Sequence, residues 1–183
     1  YAEIAPNDSL SIIHNAAIAI PGQFDVSDED LLLSHIQTNV IAPLLITKRL
    51  LPLLSAHQRV LHISSGAAMH PISGLMPYCA SKAAMQMAMQ CLNEELSAKG
   101  IHCGNLRPGM VDTPMQTGLI DAGGDVLPTM QIYRDALPGG KLISPERVAK
   151  FTAWVLLKTE DKAFGETLWN IYDDSHLVNW GVS

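Results

Sequence analysis

The sequence predicts an α/β fold built on a doubly wound parallel sheet. Three apolar segments have the length of strands, at 10–17, 60–63 and 101–106, and longer segments with a helical pattern lie between them. Apolar runs of this kind are typical of parallel strands that helices cover on both faces. Because parallel strands cannot be joined by a tight hairpin, the helical segments serve as the crossovers between them.

Composition limits the classes of function. With 183 residues, of which 48% are hydrophobic, the chain is long enough for one domain over 1–183 with a full core. A formal charge of −6 without a Lys/Arg cluster argues against a nucleic-acid surface. Polar residues or prolines interrupt every long apolar run before it reaches the length of a membrane span, and no secretory signal is visible. We therefore expect no nucleic-acid or membrane partner.

The cysteines and histidines predict neither a disulfide framework nor a metal site. Cys79, Cys91 and Cys103 are odd in number and lack C-x-x-C spacing, which is typical of reduced thiols in a cytoplasmic protein. The seven histidines show no spacing typical of metal ligands, so we expect no metal.

Capping residues and prolines predict the limits of the first two helices. Ser27, which is followed by three acidic residues, is the expected start of a helix that runs to about Leu54. Pro43 should perturb this helix, because its ring excludes the hydrogen bond to the carbonyl of Asn39. The next helix covers 78–96 and is followed by a cation and a left-handed glycine cap at Lys99-Gly100.

The two ends of the chain give shorter signals. Residues 1–6 have the pattern of a helix tail, and Asn7-Asp8 that of a turn. Near the other end, Ser144-Pro145 predicts the start of a helix, with serine as the cap and proline at the first position. A last strand is expected over 167–172.

A tyrosine and a lysine stand one turn apart at the start of the helix over 78–96. The side chains of Tyr78 and Lys82 therefore rise from one face. A free phenol has a pKa of about 10, and an ammonium group that lowered it by three units would supply about 4 kcal/mol. Such a tyrosine can act as general acid or base toward a carbonyl or alcohol, and Ser65 can hydrogen-bond the same oxygen. Taken alone, the pair is equally that of a packed tyrosine and a solvated lysine.

Several short motifs flank this pair in a definite order. Tyr78-Cys79-Ala80-Ser81-Lys82 follows Ser65 by thirteen residues. His14-Asn15-Ala16-Ala17 stands before them, Asn39 lies within Thr-Asn-Val, and Pro108-Gly109-Met110-Val111-Asp112-Thr113 comes after them. In order and spacing these landmarks resemble those of the short-chain dehydrogenase/reductase family, where the first motif reads Asn-Asn-Ala-Gly.

The resemblance implies a Rossmann-like fold and an NAD(P)-dependent oxidoreductase that acts on a small carbonyl or alcohol. Tyr78 would be the general acid, or the base in oxidation. Lys82 would lower the pKa of Tyr78 and hold the nicotinamide ribose, and Ser65 would position the substrate oxygen. Asn39 would hold a water in a proton relay that reaches the lysine; the alternative is an amide that caps the kink at Pro43.

The resemblance also implies a cofactor site for NADP or NAD, with NADP slightly favoured. The Val111 backbone would bind the carboxamide, and Thr113 would lie near the diphosphate. Asn15 would line the cofactor cleft, and as a buried amide it could also tie two strands together. The other cofactor-binding residues expected are Ala16, Ala17, Tyr78, Lys82, Pro108 and Gly109.

Further segments narrow the resemblance to the sepiapterin reductase and benzil reductase branch. These are the stretch over 140–173, Asp112 to Gln116, and the closing Ile171-Tyr172-Asp173. Asn170 stands where sepiapterin reductases have an acid that grips the pterin. A neutral amide cannot pair with a cationic ring, which favours a different ketone or an α-diketone. Arg107 stands where many relatives have a small residue, and the sequence offers no account of it.

The resemblance has two implications for segments outside the catalytic pair. Residues 114–140 correspond to a mobile lid over the substrate in relatives, and a long excursion in a compact domain is often functional. The helix over 78–96 presents small and soft residues, which implies a homo-oligomer, dimer or tetramer, through this helix and the preceding one. An intramolecular core explains the same residues, which are Ala83, Ala84, Met87, Met89 and Cys91.

The glycine-rich turn that would hold the cofactor's pyrophosphate does not occur in this sequence. By comparison with the family, the chain corresponds to the C-terminal part, about three quarters of a member. It would be either part of a complete enzyme or a true short product. Two other readings stay open: a non-catalytic relative that acts as an interaction or dimerisation module, and an epimerase that uses the same Tyr/Lys pair.

Overall fold

The computed structural model describes residues 10–54, 56–122 and 142–181. Within them, four parallel strands form a sheet in the order β1-β2-β3-β4. The strands are β1 (Ile12–His14), β2 (Gln58–Ile63), β3 (Ile101–Arg107) and β4 (Leu168–Asn170). The α-helices are α1 (Glu29–Ile36), α2 (Ala42–Leu50), α3 (Met76–Leu96), α4 (Pro114–Asp121), α5 (Pro145–Lys158), α6 (Asp161–Glu166) and α7 (Leu177–Trp180).

Helices cover both faces of the sheet, which confirms the predicted α/β class. On one face, Val60 and Cys103 pack against Met85 and Met89 of α3. On the other face, Leu61 and Leu106 pack against an aromatic cluster that includes Phe151, Phe164, Trp169 and Trp180. Successive side chains of a strand point to opposite faces, so neighbouring residues of β2 supply both cores.

The helix at Pro43 is interrupted as predicted, and the interruption has a defined form. Between α1 and α2 the backbone makes a π-helical turn over Gln37–Ile41, in which the Ala42 N–H donates to the Gln37 carbonyl. The wider turn accommodates a residue that cannot donate to the carbonyl of Asn39. The start of the helix differs from the prediction by one residue: Asp28, not Ser27, is the N-cap, and its carboxylate accepts from the Asp30 N–H.

The first strand is shorter and less buried than predicted. Only Ile12–His14 pairs with β2, in place of the expected 10–17, and Ile13 is 44% exposed. Within the described residues β1 lies at the edge of the sheet and pairs only with β2. Because successive side chains point to opposite faces, His14 is buried and Asn15 is exposed. The prediction of a buried amide at Asn15 that ties two strands was therefore wrong: the buried polar side chain is that of the preceding residue, His14.

The remaining boundaries follow their capping residues. A 3₁₀ turn over Ser97–Lys99 continues α3 and ends at Gly100, whose φ of 76° is the expected left-handed cap. The Ser144 hydroxyl accepts from the Arg147 N–H at the start of α5, as predicted. The last strand is β4, three residues in place of the expected 167–172. The predictions for residues 1–6 and for Asn7-Asp8, and most of the predicted lid, lie outside the described residues.

A basic residue that the sequence analysis did not single out fastens α5 to the sheet. The guanidinium of Arg59 donates to the carbonyls of Val155, Leu156 and Thr159 at the end of α5. It also pairs with the carboxylate of Asp161 at 2.7 Å and lies over the Phe164 ring. The orphan carbonyls at a helix C-terminus are thereby satisfied by a buried cation.

Polar side chains cross the sheet at one level, beneath α3. His14, His62 and Asn105 are register partners on three adjacent strands, and all three are buried. His14 Nε2 lies 2.6 Å from the Thr47 hydroxyl, and His62 Nδ1 lies 3.0 Å from Asn105 Oδ1. Burial lowers the pKa of His62 to about 3, with the nearby Lys82 charge acting in the same direction. His62 is therefore neutral in the folded protein at neutral pH.

The neutrality of His62 makes stability depend on pH in a definite direction. Since the unfolded chain binds a proton near pH 6.5 and the folded protein binds it only near pH 3, the free energy of unfolding falls as the pH drops below 6.5. We expect His62 to cost the protein about 2 kcal/mol of stability between pH 7 and pH 5. Urea unfolding of the native protein and of His62→Gln at both pH values measures this loss, which the variant should escape.

His70→Gln is the matched control, because His70 is an exposed residue. It should follow the native protein at both pH values. An equal loss in the native protein and in His62→Gln would show that His62 is not the group that titrates.

Candidate active site

The side chains of Lys82, Tyr78 and Ser65 meet at the carboxyl end of β2. Lys82 is buried, and its Nζ donates to the Ile63 carbonyl at 2.7 Å. The same Nζ lies 5.8 Å from the centroid of the Tyr78 ring. Ser65 hydrogen-bonds the Tyr78 phenol, and its hydroxyl also accepts from the Ala67 N–H at 3.2 Å. The structure thus brings together three of the four residues that the sequence predicts to be catalytic.

The electrostatics of the pair differ from the prediction. Burial raises the pKa of Tyr78, and the hydrogen bond with Ser65 opposes this only in part. Burial also lowers the pKa of Lys82 to about 8. The expected lowering of the Tyr78 pKa by Lys82 is therefore not found: removal from water is the largest effect and raises this pKa, and the hydrogen bond with Ser65 is what lowers it. In this structure Tyr78 is a neutral phenol, able to donate a proton.

Asn39, the fourth predicted residue, is buried next to this group. Its side-chain amide is bound on both sides by the Ile18 backbone, at 2.8 Å to the N–H and 2.8 Å to the carbonyl. It also donates to the Ser81 hydroxyl at 3.0 Å, and Ser81 in turn donates to the Tyr78 carbonyl. The amide does not cap the kink in its own helix; it joins the π turn to the segment after β1 and to α3. A water relay through Asn39 stays a prediction.

The segment after β1 is held by the contacts of Asn39 with Ile18 and not by Asn15, the polar residue that the sequence predicts for this role. Asn15 and Ala16 are exposed, and Ala17 is half-buried. Beyond them, the Ile20 N–H donates to the ring of the buried His35 at 3.1 Å. Two side chains of the helix therefore hold the backbone at 18–20. Sequence analysis missed His35, whose only signal is a histidine on the apolar face of a helix.

The Pro-Gly loop after β3 packs tightly against the end of the chain. Gly109 has φ of 74°, and a Cβ there would lie 2.6 Å from the Ile143 side chain and 2.8 Å from the Tyr172 ring. The Tyr172 hydroxyl accepts from the Met110 N–H at 3.0 Å. Sequence analysis did not give Tyr172 this role, although the closing Ile-Tyr-Asp pattern pointed to the residue. The tyrosine fixes the loop that the predicted cofactor residues occupy.

In this loop, Met110 and Asp112 bond to Ile143 through their backbone, whereas the peptide groups of Val111 between them do not. The Ile143 N–H donates to the Met110 carbonyl, and its carbonyl accepts from the Asp112 N–H. Consecutive peptide groups of an extended segment point in opposite directions, so those of Val111 point away from Ile143. The Thr113 hydroxyl is used locally, as the N-cap that accepts from the Gln116 N–H.

Helix α4 packs close to Tyr78. Leu119 of α4 and Leu75, just before α3, form a buried cluster against which Tyr78, Ile72 and Ala19 pack. Tyr78 therefore packs against an apolar cluster to which α4 contributes. The first turns of the predicted lid are therefore an ordered helix that contributes directly to the environment of the site.

The residues present fit the nicotinamide end of a dinucleotide, and the chain lacks the motif for the other end. The Val111 peptide groups point away from Ile143, where the Val111 carbonyl accepts from the Thr113 hydroxyl at 3.4 Å, and Gly109 allows the loop a close approach to Tyr172. The glycine-rich diphosphate turn is not part of the sequence. Among the residues that the structure describes, no group of three or more His, Cys, Asp or Glu side chains is placed to hold a metal ion, and no helix is long and apolar enough to cross a membrane.

Comparison with known proteins identifies the family of this chain. Residues 7–122 match the family model described as short chain dehydrogenase. The chain therefore belongs to the short-chain dehydrogenase family. It is 30% identical over 166 residues to the benzil reductase ((S)-benzoin forming) of Bacillus cereus, covering 87% of this chain and 66% of that enzyme. It is 31% identical over 174 residues to the enzyme of the same description from Bacillus subtilis, covering 90% of this chain and 68% of that protein.

Solved structures share the fold. A short chain dehydrogenase family protein from Francisella tularensis superposes with a TM-score of 0.73 at 20% identity, covering 90% of this chain and 69% of its own. A short chain dehydrogenase from Burkholderia cenocepacia in complex with NADP superposes with a TM-score of 0.71 at 24% identity, covering 87% of this chain and 62% of its own. The KRED1-Pglu enzyme superposes with a TM-score of 0.76 at 24% identity, covering 87% of this chain and 67% of its own. The parallel sheet with helices on both faces is thus the Rossmann-like fold that the sequence predicts.

The close contact between Gly109 and Tyr172 predicts that a larger residue at position 109 destabilises the protein. We expect Gly109→Ala to lower the free energy of unfolding by about 2 kcal/mol, because alanine disfavours the positive φ and its Cβ overlaps two side chains. Chemical denaturation measures the change. Gly118→Ala in α4 is the matched control, since a Cβ there meets nothing within 4 Å. It should be neutral or stabilise by up to about 1 kcal/mol. Equal effects of the two substitutions would contradict the packing described here.

Proposed function

We propose that the protein is a nicotinamide-dependent carbonyl reductase of the short-chain dehydrogenase family. The observation that supports this most is the convergence of Tyr78, Ser65 and Lys82 at the carboxyl end of the parallel sheet. Ligands of open α/β sheets bind at this end, where loops follow the strands. The family membership gives the cofactor class, and the side chains give the chemistry.

In this proposal Tyr78 is the proton donor. The Ser65 hydroxyl donates a hydrogen bond to the substrate carbonyl oxygen, and the adjacent phenol transfers its proton to that oxygen as negative charge develops on it. The cofactor, when bound, supplies the hydride that reaches the carbonyl carbon. A raised pKa of Tyr78 suits this direction, because it keeps the phenol protonated at neutral pH. In the oxidation of an alcohol the same group would have to lose its proton first and act as base.

Lys82, the loop after β3 and the segment after β1 would hold the nicotinamide end of the cofactor. The ammonium of Lys82 is fixed by the Ile63 carbonyl, which directs it to the same side as the Tyr78 phenol. The Val111 N–H, which points away from Ile143, would bind the carboxamide. Asn39 would support proton supply through its bonds to α3. The remaining contacts proposed are Asn15, Ala16, Ala17, Pro108, Gly109 and Thr113, and NADP is favoured over NAD.

Similarity to the benzil reductases supports a ketone or an α-diketone as the substrate of this protein. Asn170 supports this choice over a pterin. Its side-chain oxygen accepts from the Tyr172 N–H at 3.3 Å, so the amide is used within its own turn. The three cysteines are free thiols, which supports a cytoplasmic location.

The experiment for the catalytic proposal is the replacement of the phenol alone. We expect Tyr78→Phe to lower kcat for reduction of an aromatic α-diketone by about 10²- to 10⁴-fold, which is the usual contribution of a positioned proton donor. Oxidation of NADPH followed at its absorbance band measures kcat. Binding of NADPH, measured by its fluorescence, should be retained, because phenylalanine fills the same space.

A Tyr78→Phe protein with unchanged turnover would rule out this mechanism. If the native protein neither binds NADPH nor oxidises it, the alternative of a non-catalytic interaction module is the better account.

We also propose that the protein is a homo-oligomer that pairs through α2 and α3. Leu45 and Ile46 of α2 are 44% and 47% exposed, and Met87 of α3 is 59% exposed. Ala83, Ala84 and Cys91 are exposed on α3 as well, whereas Met89 is fully buried in the core, which corrects its assignment to this surface. Side chains of this kind lose unfavourable contact with water when two copies meet.

Sedimentation measures this association. We expect Met87→Glu to convert the oligomer to a monomer at micromolar concentration, because the interface would have to bury a charge. Leu157→Glu is the matched control: Leu157 is 66% exposed on α5, on the opposite face of the sheet. A native protein that sediments as a monomer, or equal dissociation by both substitutions, would contradict the proposal.

A further inference from the structure

Arg107 is placed on the same side of the sheet as the catalytic helix. It is the last residue of β3, two positions after Asn105, whose amide donates to the Gln86 carbonyl of α3. Alternate residues of a strand share a face, so the Arg107 side chain leaves the sheet toward α3. The residue is followed directly by the Pro-Gly loop that closes one wall of the site.

The guanidinium of Arg107 lies next to the turn that begins at Ser65. Its Nη1 is 3.4 Å from the sulfur of Met69, four residues after the serine. The backbones are joined at the same level, since the Ser64 N–H donates to the carbonyl of Leu106 at 2.7 Å. Met69 is 52% exposed. The cation therefore lies against the turn that begins at Ser65, the residue proposed to bind the substrate oxygen.

The hydrogen-bonding capacity of this guanidinium is almost unused. The thioether of Met69 is a weak acceptor, and Nε is buried without any hydrogen-bond partner. Within the described residues no carboxylate pairs with Arg107. Arg59 is the internal contrast: its two Nη atoms bond three carbonyls, a hydroxyl and the Asp161 carboxylate. A structural arginine in this protein is fully satisfied, and Arg107 is not.

We propose that Arg107 binds the carboxylate of the substrate, so that among the ketones proposed above the enzyme prefers a 2-oxo carboxylic acid over its neutral analogues. This inference rests on the carbonyl reductase function proposed above and names its substrate class. The planar guanidinium offers parallel N–H donors that match the two oxygens of a carboxylate. A carboxylate bonded to the reacting carbonyl would place that carbonyl near Ser65 and Tyr78.

The reaction leaves the carboxylate unchanged. With a reduced nicotinamide bound, a hydride from its C–H bond would add to the 2-oxo carbon as the carbonyl π bond breaks. The Tyr78 O–H bond would break to protonate the oxygen, and the phenolate would then take a proton from solvent. The products are the 2-hydroxy acid and the oxidised nicotinamide. Arg107 takes no part in the proton or hydride transfer; it determines specificity by pairing with a charge that the neutral ketone lacks.

A matched substrate pair tests the assignment in the full-length protein. The probes are phenylglyoxylate and its methyl ester, which differ in the charge of the carboxyl group. With NADPH, we expect Arg107→Met to lower kcat/KM for the acid between about tenfold and about a hundredfold, mainly through KM, which is the usual value of a hydrogen-bonded charge pair. The ester should change by less than about threefold, and Arg107→Lys should restore part of the loss for the acid. Lys150→Met, which removes an exposed cation of α5, is the matched control and should leave both substrates unchanged.

Other outcomes separate this inference from the proposed function. An equal fall for acid and ester in Arg107→Met would overturn the inference and leave the reductase in place. If neither probe is reduced, calorimetric titration of phenylglyoxylate decides: binding by the native protein that Arg107→Met loses supports the carboxylate site while the reductase function fails. Absence of binding by the native protein overturns the inference.

Discussion

One buried hydrogen bond, from the Lys82 ammonium to the Ile63 carbonyl, organises the candidate site. It ties the second turn of α3 to the point where β2 leaves the sheet. Because Tyr78 lies one turn earlier on the same helix face, this bond also sets where the phenol meets Ser65. An ammonium group taken out of water is costly without such a partner, and its lowered pKa of about 8 reflects that cost.

Much of the fold could be predicted from local signals. The caps at Gly100 and Ser144 and the position of β2 follow from short-range chemistry that tertiary contacts do not override. The first strand could not be predicted in the same way. Its length and the side on which Ile13 is exposed depend on its place at the edge of the described sheet, and an apolar run has no signal for that.

The candidate site, too, could be predicted only where local sequence determines it. Spacing alone predicts that Tyr78 and Lys82 share a helix face, and the family motif adds Ser65. The pKa of Tyr78 could not be predicted, since it depends on burial in the folded protein, for which a local motif has no signal. Tyr172 and His35 were missed for a related reason: each acts on the backbone of a segment distant in sequence.

The π turn before Pro43 also has a consequence for the phase of the helix. Asn39 reaches the site and Thr47 reaches His14, so both must face the sheet although eight residues separate them. In a regular α-helix their directions would differ by about 80°, whereas one extra residue within a turn reduces this to about 20°. Loss of a single residue between them would therefore turn one amide or one hydroxyl away from the sheet while leaving the composition of the helix almost unchanged.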